Sequence, residues 1–113
     1  MKTVIGDTNT INMCWHPVTV LLDGDFHHWE KTSKSRCTRV EYSRKEVEPG
    51  RFIKKPTRIL NLPRACSGIE YIVSEKVLHA LKVLHPSRKD FVAPGDQSPD
   101  ASGKVKYCVG FQV

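Results

Sequence analysis

A chain of 113 residues, 39 % hydrophobic and 27 % charged, has the size and balance of one globular domain. That length excludes two separate cores, and the composition lies outside the disordered range. The longest apolar-leaning stretches, Val18–Leu22 and Val77–Leu84, fall far short of the ~20 residues that a membrane-spanning helix needs. The opening residues, Met1-Lys2-Thr3-Val4-Ile5-Gly6-Asp7, carry one positive charge with no apolar run behind it. No secretory signal is read there, and a cytoplasmic protein is expected. In that compartment Cys14, Cys37, Cys66 and Cys108 are expected to be reduced thiols serving as small core residues.

Val4 and Ile5 suit a short strand, after which the segment to Asn12 reads as polar and irregular, with a turn at Thr8-Asn9-Thr10. Val18–Leu22 is a strand by its β-branched content. Asp23-Gly24 follows, the pair that a type I′ hairpin turn favours because both central residues need positive φ. Asp25–Trp29 is the returning strand, with Phe26 and His28 on one face and His27 and Trp29 on the other. Glu30–Arg36 is a polar loop. Cys37–Ser43 then alternates, Thr38, Val40 and Tyr42 against Arg39 and Glu41, as a half-buried strand does.

Pro49-Gly50 marks a turn, and Arg51–Lys54 suits a further short strand. Pro56 and Pro63 bracket Thr57–Leu62, which predicts an edge strand there. Gly68–Val73 is a strand leading directly into a helix. Ser74 is its N-cap, Glu75 suits the positive end of the helix dipole, and Val73 and Leu78 occupy the positions of a hydrophobic staple. Val77, Leu78, Leu81 and Leu84 form an apolar stripe that Pro86 brings to an end. Asp90–Gly103, rich in Pro, Gly, Ser and Asp, reads as a long loop. Lys104–Val113 is a closing strand, with Val105, Tyr107, Val109 and Phe111 on one face. These elements predict an α+β domain over 1–113: a mostly antiparallel sheet of about five to six short strands, with one main helix at about 75–85 packed on one face.

The net charge of +6 is unevenly placed. Residues 31–64 hold eleven Lys or Arg against three Glu, a net of +8, whereas the rest of the chain carries −2. Such asymmetry points to an acidic protein or a polyanion as partner. The candidate contact residues are Arg36, Arg39, Arg44, Lys45, Arg51, Lys54, Lys55 and Arg58. A solvated rim of outward charges explains the same pattern. Single-stranded nucleic acid would also want aromatic platforms, for which Trp29 and Phe52 are candidates. Tyr42 shares its face with Val40, which assigns it to the core.

No side-chain set makes a compelling catalytic or metal site. Cys14 and His16 would share a face if extended, but no Cys-x-x-Cys or His-x₃₋₅-His spacing completes a zinc site. His27 and His28, being adjacent, point to opposite faces of a strand. Asp23 and Asp25 flank a turn glycine, and turn chemistry accounts for them. No catalytic residue, metal or cofactor is therefore assigned, and a small enzyme or metal protein built on Cys14, His16, His27 and His28 stays as an alternative.

The segment 68–84, Gly68-Ile69-Glu70-Tyr71-Ile72-Val73-Ser74-Glu75-Lys76-Val77 with Leu78 and Leu81, resembles one in immunity proteins of bacterial polymorphic toxin systems, where a strand ending in Val-Ser-Glu leads into an amphipathic helix. The resemblance implies a non-enzymatic protein that binds a partner protein and blocks it. The expected function is accordingly that of a small bacterial or phage accessory protein. It binds another protein through the basic window, with a nucleic-acid-binding module as the alternative.

Overall fold

A computed structural model describes residues 2–99 and 106–113. In chain order its elements are β1 (Thr3–Ile5), β2 (Thr10–Asn12), β3 (Val18–Leu22), β4 (Asp25–Trp29), β5 (Arg39–Glu48), β6 (Arg51–Leu60), β7 (Glu70–Ile72), α1 (Glu75–Leu84), β8 (Phe91–Pro99) and β9 (Lys106–Gln112). The β3–β4 hairpin turns through Asp23 at φ 49° and Gly24 at φ 82°, both left-handed as a type I′ turn requires. Ser74 caps α1 by accepting from the Val77 N–H at 3.3 Å, and Val77, Leu78, Ala80 and Leu81 are its buried face.

The class is α+β with one helix, but nine strands replace the expected five to six, three-residue strands being too short to show in alternation, and the main sheet is not mostly antiparallel. Seven strands lie in the order β1-β4-β3-β9-β8-β7-β2. The β1–β4, β3–β9, β7–β8 and β2–β7 pairs are parallel, and the β3–β4 and β8–β9 pairs antiparallel. Side-chain alternation marks a strand and its faces; it carries no record of the direction of a neighbour brought in from elsewhere in the chain.

The two outermost strands, β1 and β2, are separated in sequence only by residues 6–9. The sheet must therefore curl until its edges approach, and this segment stitches them. Gly6 donates its N–H to the His28 carbonyl at 2.8 Å, and Glu70 donates to the Asn9 carbonyl at 3.0 Å. The Trp29 indole N–H reaches the Asp7 carbonyl at 3.2 Å. A Cβ on Gly6 would overlap the Trp29 ring, so close approach demands glycine there.

Curling gives the sheet two packed sides. Ile72 and Val92 join Cys14, Val18, Val20 and Trp29 on the inside of the curl. Their strand neighbours Tyr71, Val73, Phe91 and Ala93 face outward and are covered by Val77, Leu78 and Leu81 of α1.

Within the main sheet three segments differ from expectation. Thr10–Asn12 forms β2 rather than an irregular stretch. Phe91–Pro99 is a strand, although its Pro94-Gly95-Asp96 composition reads as loop; pairing with both β7 and β9 overrides local preference. Residues 100–105, including the rest of that expected loop and Val105, lie outside the described residues. In β9 the alternation resets at Gly110, φ 66°. Phe111 consequently packs with Cys108 on the Trp29 side, its ring centroid 5.7 Å from that of Trp29.

Candidate functional site

The basic window folds into a separate two-stranded antiparallel ribbon, β5–β6, outside the seven-stranded sheet. Each strand has ten residues, which spans roughly 30 Å at ~3.3 Å per residue. Arg51–Leu60 is one continuous strand, not two pieces divided at Pro56. Pro56 sits opposite Tyr42 beside a register shift between Glu41 and Tyr42. At such a bulge a missing N–H costs little.

The foot of the ribbon is tied to the domain. Thr38 donates its N–H to the Met13 carbonyl at 3.0 Å and its hydroxyl to the Asn61 carbonyl at 3.0 Å. The Asn61 side chain, on a left-handed residue at φ 58°, donates to the carbonyls of Ser35 and Cys37, both at 3.0 Å. Val40 and Ile59 pack against the core beneath α1. Beyond them little is buried: from Ser43 to Lys55 every side chain is exposed.

Cross-strand partners share a face, so the register assigns the charges. Val40/Ile59, Tyr42/Pro56, Arg44/Lys54 and Glu46/Phe52 form the face turned toward α1. Lys76 of α1 covers the Tyr42 ring at 5.2 Å, and Arg44 lies over Phe52 at 4.1 Å. Arg39/Leu60, Glu41/Arg58, Ser43/Lys55 and Lys45/Ile53 form the opposite face.

Of the eight expected contact residues, seven stand on this one ribbon and Arg36 lies in the exposed turn before its foot. They do not share one face. Arg44 and Lys54 point one way; Arg39, Lys45, Lys55 and Arg58 point the other; Arg51 is at the tip. Arg58 pairs with Glu41 through contacts of 3.1 and 3.3 Å, and Arg51 with Glu48 at 3.6 Å. Among the described residues Arg39, Arg44, Lys45, Lys54 and Lys55 have no ion-pair partner. Near the tip Val47, Phe52 and Ile53 are each about half exposed, at 48–49 %. Sequence reasoning found the cations and offered Phe52 as a stacking platform, but missed Val47 and Ile53 beside it, which look like ordinary strand residues until the strand is seen to have no cover; Trp29, the other candidate platform, is buried.

The cysteines and histidines do not assemble into a metal site: among the described residues no group of three His, Cys, Asp or Glu could hold an ion. Cys14 is buried, and burial, with Cys37 nearby, pushes its thiol up to about 12. That holds it protonated and unreactive. All four cysteines are free; Cys14 and Cys37 are core residues as expected, but Cys66 is exposed. Asn12 ties together the backbone at Cys14, His16 and Glu30. Its carbonyl oxygen accepts from the Cys14 N–H at 2.9 Å, and its amide donates to the carbonyls of His16 and Glu30 at 3.0 and 3.1 Å. His27 stacks on Trp29 at 6.3 Å between centroids. His28 bridges Thr19 at 2.8 Å and Glu30 at 2.9 Å. This hydroxyl–imidazole–carboxylate chain spans a direct cross-strand pair, Thr19 and His28, and the Glu30 side chain is 83 % exposed. It joins β3 to β4 as a polar cross-link.

The segment 68–84 serves the core: Tyr71, Ile72, Val73, Val77, Leu78 and Leu81 are all buried. Comparison of the chain with protein-family models, with curated proteins and with solved structures finds no match.

Proposed function

We propose that this chain is a non-catalytic binding protein that engages an acidic surface of a partner protein through the β5–β6 ribbon, acting as an inhibitor or immunity-like accessory. One observation carries it. An uncovered ribbon carries five cations that have no ion-pair partner among the described residues, four of them on its outer part beside three half-exposed apolar side chains, Val47, Phe52 on one face and Ile53 on the other. An isolated hairpin is marginally stable in water. A ribbon that buries so little on its own gains most from a surface that covers it. Exposed apolar side chains interleaved with charge on both faces of the ribbon suit a protein partner that grips it, with apolar contact inside and charge at the rim.

A second reading has its own support. A two-stranded ribbon has the width to enter the major groove of a nucleic-acid duplex, and charges on both faces would meet both walls. The two separate by salt and by specificity. Affinity purification from the native host, followed by reconstitution with the purified partner, is expected to give a complex that Lys45→Glu, Lys54→Glu and Lys55→Glu together weaken at least about tenfold, with the circular dichroism unchanged. Unchanged affinity would show that the ribbon charges are a solvated rim. Binding of generic duplex at about 50 mM salt that collapses by about 200 mM would move the assignment to nucleic acid.

A further inference from the structure

The outer part of β6 has an open edge. Among the described residues β6 is hydrogen-bonded to β5 alone, and no other backbone hydrogen bond reaches Arg51–Lys55. One row of its N–H and C=O groups, about 16 Å long at ~3.3 Å per residue, therefore faces outward with no strand beside it. The side chains along this edge have a definite order. Phe52 and Lys54 stand on the face turned toward α1, and Ile53 and Lys55 on the other. Each face thus offers one apolar side chain, 48 % exposed, followed by one lysine with no ion-pair partner among the described residues. Arg51, at the tip, is paired with Glu48. Pro56, with no N–H to give, ends the row on the side of the domain. The edge of β5 is different in kind. Between Ser43 and Glu48 it carries Arg44 and Lys45 against Glu46 and Glu48, and selects neither sign. Glu46 stands across the ribbon from Phe52, one strand farther from the open edge of β6.

We infer that the open edge of β6 takes an extended acidic segment of the partner protein as a third strand of the ribbon; the inference rests on the ribbon being the interface. In such strand addition the main-chain hydrogen bonds supply affinity and the alternating side chains supply specificity. The antiparallel sense is the more stable per residue. In that sense carboxylates lie opposite Lys55 and Lys54, and apolar side chains opposite Ile53 and Phe52. The incoming strand then reads acid-acid-apolar-apolar, one of each kind on each face. A strict alternation of acid and apolar residues would put both acids on one face, where a single lysine meets them. The lysines and Pro56 also set what the edge refuses. A second copy of this chain would bring its own row of cations against this one.

The peptide acetyl-Thr-Glu-Glu-Val-Ile-Thr-amide, titrated into the ¹⁵N-labelled protein, tests this. It is expected to shift the amides of Phe52, Ile53, Lys54 and Lys55 saturably. Only alternate residues of an added strand bond to its neighbour. N-methylating one alternate set of the peptide's amides is therefore expected to abolish binding, and methylating the other set to leave it within about threefold. The peptide with Lys in place of both Glu should leave the four amides unmoved, and the order Glu-Val-Glu-Ile should bind at least about threefold more weakly. Lys54→Glu with Lys55→Glu, on exposed side chains, should weaken the parent peptide at least about tenfold. The same effect from both methylated sets, saturable shifts centred elsewhere, equal binding of the Lys peptide, or no saturable shift at millimolar peptide would each overturn strand addition. Should the native partner's complex still respond to the ribbon lysines in that event, the ribbon would stand as the interface and only its mode of pairing would fall.

Discussion

Asp90 shows how one residue ties the loop after α1 to the rest of the domain. Its carboxyl is held below the usual carboxylate range, first by the hydrogen bonds from Arg88, which outweigh the opposing effect of burial. Arg88 reaches on to the Pro63 carbonyl, so the pair joins two segments distant in sequence. Each side chain is 19 % exposed, dry enough for the pair to matter. Because the folded pKa is the lower one, the unfolded chain binds more protons in the acid range. The stabilisation is full above the unfolded value near 3.8 and is lost as pH falls through the folded value. Asp90→Asn is expected to cost about 2–3 kcal/mol at neutral pH, somewhat below the loss for a fully buried pair. Urea unfolding at neutral pH and near pH 3 should show the variant and the parent converging on the acid side. The pair was not singled out from sequence, since nothing in the order Arg88-Lys89-Asp90 marks which charge reaches across to Pro63.

At the scale of elements, what could be read in advance was whatever local chemistry specifies. The Asp23-Gly24 turn and the Ser74 cap each satisfy a backbone requirement with neighbouring residues, and both are found where expected. Ser74→Ala should therefore cost about 1 kcal/mol, measurable in the urea midpoint. The ribbon was visible only as three short strands and a turn, because nothing in Arg51–Leu60 announces that it runs through Pro56 and bypasses the sheet. Its independence has a consequence. Replacing residues 43–55 by Asn-Gly, so that Tyr42 and Pro56 remain partners, removes only exposed side chains. The shortened protein is expected to keep its near-ultraviolet spectrum and stay within about 1–2 kcal/mol of the parent, while losing partner binding. A large loss of stability would show that the ribbon supports the fold. β8 was hidden for a different reason: its Pro and Gly residues carry turn chemistry, and only two flanking strands make it extended.

For the whole molecule the decisive feature is the closure of the curled sheet by residues 6–9. Gly6 and Trp29 meet where β1 gives way to β2, so the contact is a joint between the sheet's two edges. Gly6→Ala is expected to destabilise by about 1–3 kcal/mol, the range for an overpacked core, and to alter Trp29 fluorescence in the native state. A smaller variation with unchanged fluorescence would mean that the segment can yield without disturbing the closure.

Residue order alone specifies the single-helix α+β class, the β3–β4 hairpin, the capped helix and the concentration of positive charge between residues 31 and 64. Each is a matter of composition or of contacts within a few residues. The strand order and its parallel pairs, the curl, and the distribution of the basic residues over two faces of a ribbon emerge with the folded arrangement. These depend on which distant segments meet. Alternation along a strand says that two faces exist, and packing from elsewhere in the chain decides which of them, if either, is covered.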